Sequence, residues 1–285
     1  MTTPAPRSRP FAQVDVFSAE PCLGNPVAVV LDGAGLTDEQ MARFARWTNL
    51  SETTFVLPAT SSEADYRLRI FTPDRELPFA GHPTLGSARA WLAAGNAPRT
   101  PGRLVQECAA GLVRVHVSDD AAELAFEAPP TVRSGDLEPE VLRAVATGLG
   151  LRDEQVVAHQ WVDNGPGWVA VLLPSAQDVL ALEPDYTALG EHKVGVVGPT
   201  AEDCDHRFEV RAFVPGPEGY EDPVTGSLNA SLAQWLIRTG RAPARYEARQ
   251  GTRKGRCGVV RVDSDTDGVR VGGRCTVCIL GEVTL

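Results

Sequence analysis

The chain has 285 residues, enough to bury a substantial core, with 43% hydrophobic and 22% charged residues, which is ordinary for a globular protein. A formal net charge of -10 argues against a general nucleic-acid binder, and no apolar run approaches the ~18 residues of a membrane span. The same net charge leaves a small-anion site open, because a local field can oppose the global one.

In chain order, "MTTPAPRSRPF" has two arginines with no apolar stretch behind them, so it reads as a short disordered lead and not as a signal peptide. "AQVDVF" (12–17) alternates like a strand, and Thr37-x-x-Gln40 is a capping box opening a helix with Met41, Phe44 and Ala45 on one face. Asn49-Leu50-Ser51-Glu52-Thr53-Thr54-Phe55 follows as a connection into an apolar strand. Glu52 stands in an otherwise uncharged stretch from Thr48 to Ser62. A carboxylate desolvated there is a candidate general acid/base, the alternative being an exposed turn glutamate. "DYRLRIF" (65–71), "LVRVHV" (112–117), "FEVRAFV" (208–214) and "VVRVD" (259–263) read as further strands. "RYEARQGTRKGR" (245–256) reads as a solvated basic loop, and Gly165-Pro-Gly167 as a turn.

Two helical stretches stand apart. "FAGHPTLGSARAWLAAG" carries one charge, Arg89, between Pro83 and Ala94, and "EDPVTGSLNASLAQWLIRTG" carries none from Pro223 to Ile237. A helix without a polar face is expected to be buried all round. Both stretches contain Pro-x-x-Gly-Ser, then Trp-Leu, then a terminating glycine. Arg69-x-Phe71-x-Pro73-x-x-Glu76 recurs 142 residues later as Arg211-x-Phe213-x-Pro215-x-x-Glu218, Val27-Ala28-Val29 recurs 142 residues later at Val169, and Pro83 recurs 140 residues later as Pro223. We read an α+β fold, internally duplicated, with two pseudo-symmetric domains over 1–130 and 131–285, the last strand free to return to the first domain. Each domain is expected to be a mostly antiparallel sheet wrapped around a central helix. Proline suits a first helical turn, which places His82 and Asp222 at or near the N-caps. Two helix starts facing a cleft between the halves would suit a small carboxylate, with Gly86-Ser87 and Gly226-Ser227 admitting a ligand close to the backbone.

The six cysteines (22, 108, 204, 257, 275, 278) read as reduced thiols of a cytoplasmic protein. Cys275-x-x-Cys278 lies on a strand that points the two thiols to opposite faces, against chelation. His82 is a capping or catalytic candidate. His116, His159, His192 and His206 have no metal-ligand spacing, and no metal site is expected.

"GNPVAVV", "NLSETTFV", "FTPDRELPFAGHPTLGSA", "DNGPGWVAV" and "EDPVTGS", spread over about residues 11 to 260, together resemble the phenazine-biosynthesis isomerase family, the PhzF-like proteins, which share the fold of diaminopimelate epimerase. The resemblance implies an isomerase of specialised metabolism, of the antibiotic-biosynthesis kind. It would move a proton and double bond in a small unsaturated carboxylate, with no metal or organic cofactor, as a homodimer with no membrane or nucleic-acid partner. It puts the catalytic acid/base on Glu52, with His82 and Asp222 as further catalytic residues. Asn25, Gly81, Gly226 and Ser227 would bind substrate. Val224 departs from the alanine the family often has, which bears on the substrate pocket. The rivals are an amino-acid epimerase or racemase and a non-catalytic small-anion binder. Epimerases of this fold use two opposed thiols, and the corresponding positions here are Gly81 and Asp222.

Overall fold

The computed structural model describes residues 6–216 and 219–285. The chain divides into two compact units, 1–127 with 272–285, and 128–271. Among the described residues no helix is long and apolar enough to cross a membrane.

The first unit opens with β1 (Ser8–Val16), β2 (Asn25–Val30), α1 (Asp38–Thr48), β3 (Thr53–Leu57) and β4 (Tyr66–Phe71), and continues with β5 (Glu76–Leu77), α2 (Gly81–Ala93), β6 (Arg103–Cys108), β7 (Gly111–Val117) and β8 (Glu123–Glu127). The expected disordered lead is therefore corrected. Residues 1–5 lie outside the described residues, but Ser8 to Phe11 are strand, each paired with the chain's C-terminal segment from Thr284 to Gly281. The long last strand, β17 (Gly268–Thr284), supplies that segment. Pairings run β1–β2–β3–β4–β6–β7–β8 and return through β17 to β1, so the sheet closes on itself. Only β2–β3 and β4–β6 among the registered pairs of this ring are parallel.

α2 runs inside that sheet. Nine of its residues are buried, from Gly81 through Ala88 and again at Ala90. Gly86 is the close approach: a Cβ there would meet Val27 Cγ1 at 2.2 Å and Val16 Cγ2 at 3.0 Å. The glycine thus serves helix-to-sheet packing, and the reading that Gly86 and Ser87 admit a ligand is corrected; Ser87 Oγ is instead 2.8 Å from Thr54 Oγ1 in the core. α1 covers the outer face of the same sheet. Its capping box is formed as the sequence indicated, Thr37 Oγ1 accepting from the Gln40 amide at 3.2 Å and Gln40 Oε1 from the Thr37 amide at 2.9 Å. Met41, Phe44 and Ala45 pack on Val30, Phe55 and Phe71.

The second unit holds β9 (Arg133–Gly135), α3 (Pro139–Leu149), β10 (Ala158–Asp163), β11 (Trp168–Leu172), α4 (Ala176–Ala181), β12 (Lys193–Pro199) and β13 (Phe208–Val214). It continues with β14 (Tyr220–Asp222), α5 (Gly226–Arg238), β15 (Arg245–Gln250) and β16 (Gly258–Asp265). β11 pairs parallel with β12, β12 antiparallel with β13, β13 antiparallel with β14 and parallel with β15, and β15 antiparallel with β16. This is the sequence of pairings that β2, β3, β4, β5, β6 and β7 make in the first unit. β11 shows why its residues are apolar on both sides. Ala170 and Leu172 face Leu228, Leu232, Trp235 and Leu236 of α5, while Val169 and Val171 face Val145 and Leu149 of α3 and Val179 of α4.

Two readings of the second half need correction, and a third falls outside the described residues. Residues 245–250 are strand, not loop: Ala248 and Gln250 are buried, while Arg245, Glu247 and Arg249 alternate onto the other face. Pro83 and Pro223 are not equivalent, because Pro83 is the third residue of α2 whereas Pro223 precedes the Thr225 cap of α5. Glu218 lies outside the described residues. The carboxylate that pairs with Arg211 is Glu221, at 2.8 and 3.1 Å, just as Glu76 pairs with Arg69 at 2.6 and 2.7 Å. Each arginine also lies over a phenylalanine two residues on, Phe71 or Phe213.

Gly86→Ala tests the closeness of α2 to the sheet. Overpacking costs about 1–3 kcal/mol and outweighs the roughly 1 kcal/mol that alanine gains over glycine in a helix. The midpoint of chemical denaturation should therefore fall; an unchanged or raised midpoint would show that Val27 yields freely.

Candidate active site

The residues singled out from the sequence fall into two groups, one in each unit. In the first, α1 ends at Asn49, whose backbone is left-handed (φ 55°), and the chain turns through Leu50 and Ser51 to Glu52, immediately before β3. The side chain of Glu52 is 15% exposed, and its Oε2 lies 3.2 Å from Nε2 of His82, which is 6% exposed. His82 is the second residue of α2, and the N-cap is Ala80. The expectation of His82 as an N-cap is corrected: the chain leaves β5 extended as far as Ala80, so the helix begins before the histidine. Gly81 is the first helical residue and is buried. Asn25, fully buried at the start of β2, places Nδ2 3.5 Å from His82 Nδ1. It touches the histidine from behind, a position for orienting the ring.

Burial lowers the His82 pKa from 6.5 to about 3, and a hydrogen bond to the Pro26 backbone acts in the opposite direction. The ring is therefore neutral near pH 7. A neutral imidazole nitrogen 3.2 Å from a carboxyl oxygen can share one proton with it, the arrangement that a proton-transfer site needs.

In the second unit Asp222 is the last residue of β14, three residues before Thr225, the N-cap of α5. The reading of Asp222 as the cap is corrected accordingly. Its Oδ2 instead accepts from Thr225 Oγ1 at 2.6 Å. Gln250, fully buried on β15, holds this turn with four bonds. Its Nε2 donates to the Asp222 carbonyl and to Thr225 Oγ1, both at 3.0 Å, and its Oε1 accepts from the Thr225 amide at 3.0 Å and from Asn229 Nδ2 at 2.8 Å. Gly226 and Ser227 are the first two residues of α5, and Ser227 Oγ accepts from Trp168 Nε1 at 3.1 Å. Gln250 and Thr225 were not legible as site residues. A glutamine between an arginine and a glycine carries no signal until its burial is known. In the first unit Gln106 on β6 does comparable work, donating to Thr84 Oγ1 at 3.0 Å and accepting from Tyr66 Oη at 3.2 Å.

Neither α2 nor α5 has a side-chain cap or an acidic residue in its first turn, which leaves the positive end of each helix dipole available to an anion. Among the described residues no group of three or more His, Cys, Asp and Glu could hold a metal ion.

The family model for phenazine biosynthesis-like proteins matches residues 14–281. The chain belongs to this family. It is 36% identical over 267 residues to trans-2,3-dihydro-3-hydroxyanthranilate isomerase of Pseudomonas aeruginosa, covering 92% of each chain. It is also 36% identical over 292 residues to antisense-enhancing sequence 1 of Schizosaccharomyces pombe, covering 95% of this chain and 97% of that one. Among solved structures, a PhzF-family phenazine biosynthesis protein of Bacillus anthracis superposes with a TM-score of 0.82 over 98% of this chain and all of its own, at 22% identity, which is a likeness of fold. Like its named isomerase relatives, the chain is an isomerase.

Two measurements test this geometry. Gln250→Met keeps the volume but strands several buried polar groups, at about 1–3 kcal/mol each, so unfolding free energy should drop by at least one such increment; a smaller loss would mean that the turn re-pairs. Because the folded pKa of His82 is depressed, its contribution to stability is complete above about pH 6.5, the ordinary histidine value, and is lost as pH falls toward about 3. His82→Gln should therefore lose less stability than the wild type between pH 7 and 4, and parallel curves would contradict the buried neutral imidazole.

Proposed function

We propose that the chain catalyses a cofactor-independent proton shift in a small unsaturated carboxylate, with Glu52 as the proton carrier. The observation that carries this reading is the Glu52–His82 contact, a carboxyl group against a buried neutral imidazole in the first turn of an uncapped helix. A proton beside a carbon–carbon double bond conjugated to a carboxylate becomes acidic when negative charge spreading onto the carboxylate is stabilised. The helix-start amides of α2 supply such stabilisation. Glu52 takes the proton from one carbon, the double bond shifts, and the same carboxyl group returns the proton to another carbon on the same face. His82 holds the Glu52 carboxyl in place and shares its proton between the two steps.

The substrate class follows the Pseudomonas relatives, whose name specifies a dihydro-hydroxyanthranilate, a ring carboxylate with a movable double bond. Asp222, gathered with Gly226 and Ser227 at the start of α5, is proposed as a functional residue of the second unit, and Asp222→Asn tests that role by its effect on kcat and KM. The matching order of strand pairings, together with the Arg69–Glu76 and Arg211–Glu221 pairs, supports a duplicated origin of the two units. An epimerase mechanism through two thiols finds no support, since neither α2 nor α5 contains a cysteine.

Glu52→Gln preserves size and much of the hydrogen bonding but cannot exchange a proton. Turnover on a dihydro-hydroxyanthranilate should fall by about 10²–10⁴, with binding changed no more than a few-fold. Where the proton held by Glu52 and His82 exchanges with solvent between the two steps, the wild-type product in heavy water should gain deuterium at the newly protonated carbon, and the variant's should not. Near-normal turnover in the variant would remove Glu52 from the mechanism.

A further inference from the structure

The proton-transfer chemistry uses none of the six thiols. Cys108 and Cys275 are buried, Cys257 is half-buried, and Cys22, Cys204 and Cys278 are exposed. Two of the exposed thiols, Cys22 and Cys278, meet in the first unit. The β1–β17 register passes from Gln13 opposite Ile279 to Val14 opposite Val277, so Cys278 is the extra residue of a β-bulge. Two positions earlier on β17, the Thr276 hydroxyl binds the carbonyls of Ser18 at 2.9 Å and Ala19 at 3.2 Å. That bond lays the β1–β2 connection, residues 17–24, along this stretch of β17. The far end of the connection is held by the Gly24 amide on Asp15 Oδ2 at 2.7 Å. Between these anchors Cys22 adopts a left-handed backbone (φ 68°), and its amide bonds the Cys278 sulfur. One sulfur thus lies beside the backbone of the other cysteine. A disulfide needs Cα atoms about 4.4–6.8 Å apart, and a sulfur bonded to the other cysteine's amide lies close to that cysteine's own Cα.

We propose that Cys22 and Cys278 form an oxidisable dithiol that closes to an intramolecular disulfide under hydroperoxide, tying the β1–β2 connection to β17. The Cys22 thiolate attacks the peroxide O–O bond, becoming a sulfenic acid and releasing the leaving oxygen as an alcohol, or as water from hydrogen peroxide. The Cys278 thiolate then attacks that sulfur and expels hydroxide, which leaves as water with the thiol's proton. Two thiols and one hydroperoxide give one disulfide, one water and one alcohol or second water. Burial pushes the Cys278 thiol up, and the Asp15 carboxylate adds to this against the Cys22 amide, so Cys278 is suited to the second, resolving step. The closed form would fix the connection that leads directly into Asn25, the residue facing the His82 ring.

The test is to treat the reduced, full-length protein with equimolar hydrogen peroxide, alkylate the remaining thiols and map the peptides by mass. The expected product is a dithiothreitol-sensitive peptide joining the Cys22 and Cys278 segments, in protein that runs as a single chain without reductant. The cross-link should raise the thermal midpoint, because it closes a loop taking in almost the whole sequence. Cys22→Ser and Cys278→Ser should each abolish it, and Cys204→Ser should not. Recovery of both residues as alkylated thiols, oxidation of either one alone to sulfinic acid, or a cross-link between two chains would each overturn the proposal.

Discussion

A helix enclosed by sheet has nowhere to send a charge, and most of this molecule follows from satisfying that constraint twice. α2 and α5 have apolar or small residues around their circumference because strands meet them on several sides: Leu228, Leu232, Trp235 and Leu236 of α5 pack on β10, β11, β12, β13 and β15. Burial of a Leu or Trp side chain contributes about 1.5–3 kcal/mol, so a handful of such contacts sets the scale of each unit's stability. The same enclosure forces the outer faces of β2, β3, β11 and β12 to be apolar as well, since α1, α3 and α4 lie on them.

Enclosure has a second consequence at the helix starts. Backbone amides and short polar side chains brought indoors must be paired, and the sheet supplies one fully buried glutamine for each helix, Gln106 under α2 and Gln250 under α5. Gln250 joins Asp222, Thr225 and Asn229 into one rigid turn, which presents the Asp222 carboxyl group in a fixed orientation. At α2 the corresponding economy is different: Asn25 and the Pro26 backbone hold the His82 ring, and the ring faces Glu52. Desolvation keeps the imidazole neutral, so the Glu52–His82 contact is not a fixed ion pair.

The approach to each helix is steered by an arginine–carboxylate fork on the preceding hairpin. Arg69 with Glu76 is partly exposed and contributes modestly, in the manner of surface pairs worth about 0–1 kcal/mol. Arg211 with Glu221 is buried, and its guanidinium also binds the carbonyls of Val179 and Leu182 at 3.1 and 2.7 Å. With each of the three guanidinium nitrogens hydrogen-bonded, the buried pair serves to fix the β13–β14 register, and hence the position of Asp222, more than to add net stability.

What the sequence determined by itself was periodic or compositional. Alternation marked β4, β7, β13 and β16, the capping box marked α1, and the missing charges marked α2 and α5 as enclosed, because burial on a repeating face leaves a repeating trace. The lone carboxylate of Glu52 in an uncharged stretch was equally visible. Tertiary structure decided everything that depends on where a hairpin stops or which distant strands pair. Whether Pro83 lies within its helix and Pro223 before its own was set by the lengths of β5 and β14, since proline fits both places. That Arg211 takes Glu221, ten positions on, where Arg69 takes Glu76, seven positions on, was set by register. The strand at 245–250 was masked by its outward-facing charges, and β1 at Ser8 exists only because the C-terminus returns to pair with it. The Glu52–His82 contact joins residues thirty positions apart on either side of three strands, β3, β4 and β5. No local pattern encodes such a meeting, because it is the closure of the sheet around α2 that brings the two side chains within one hydrogen-bond length.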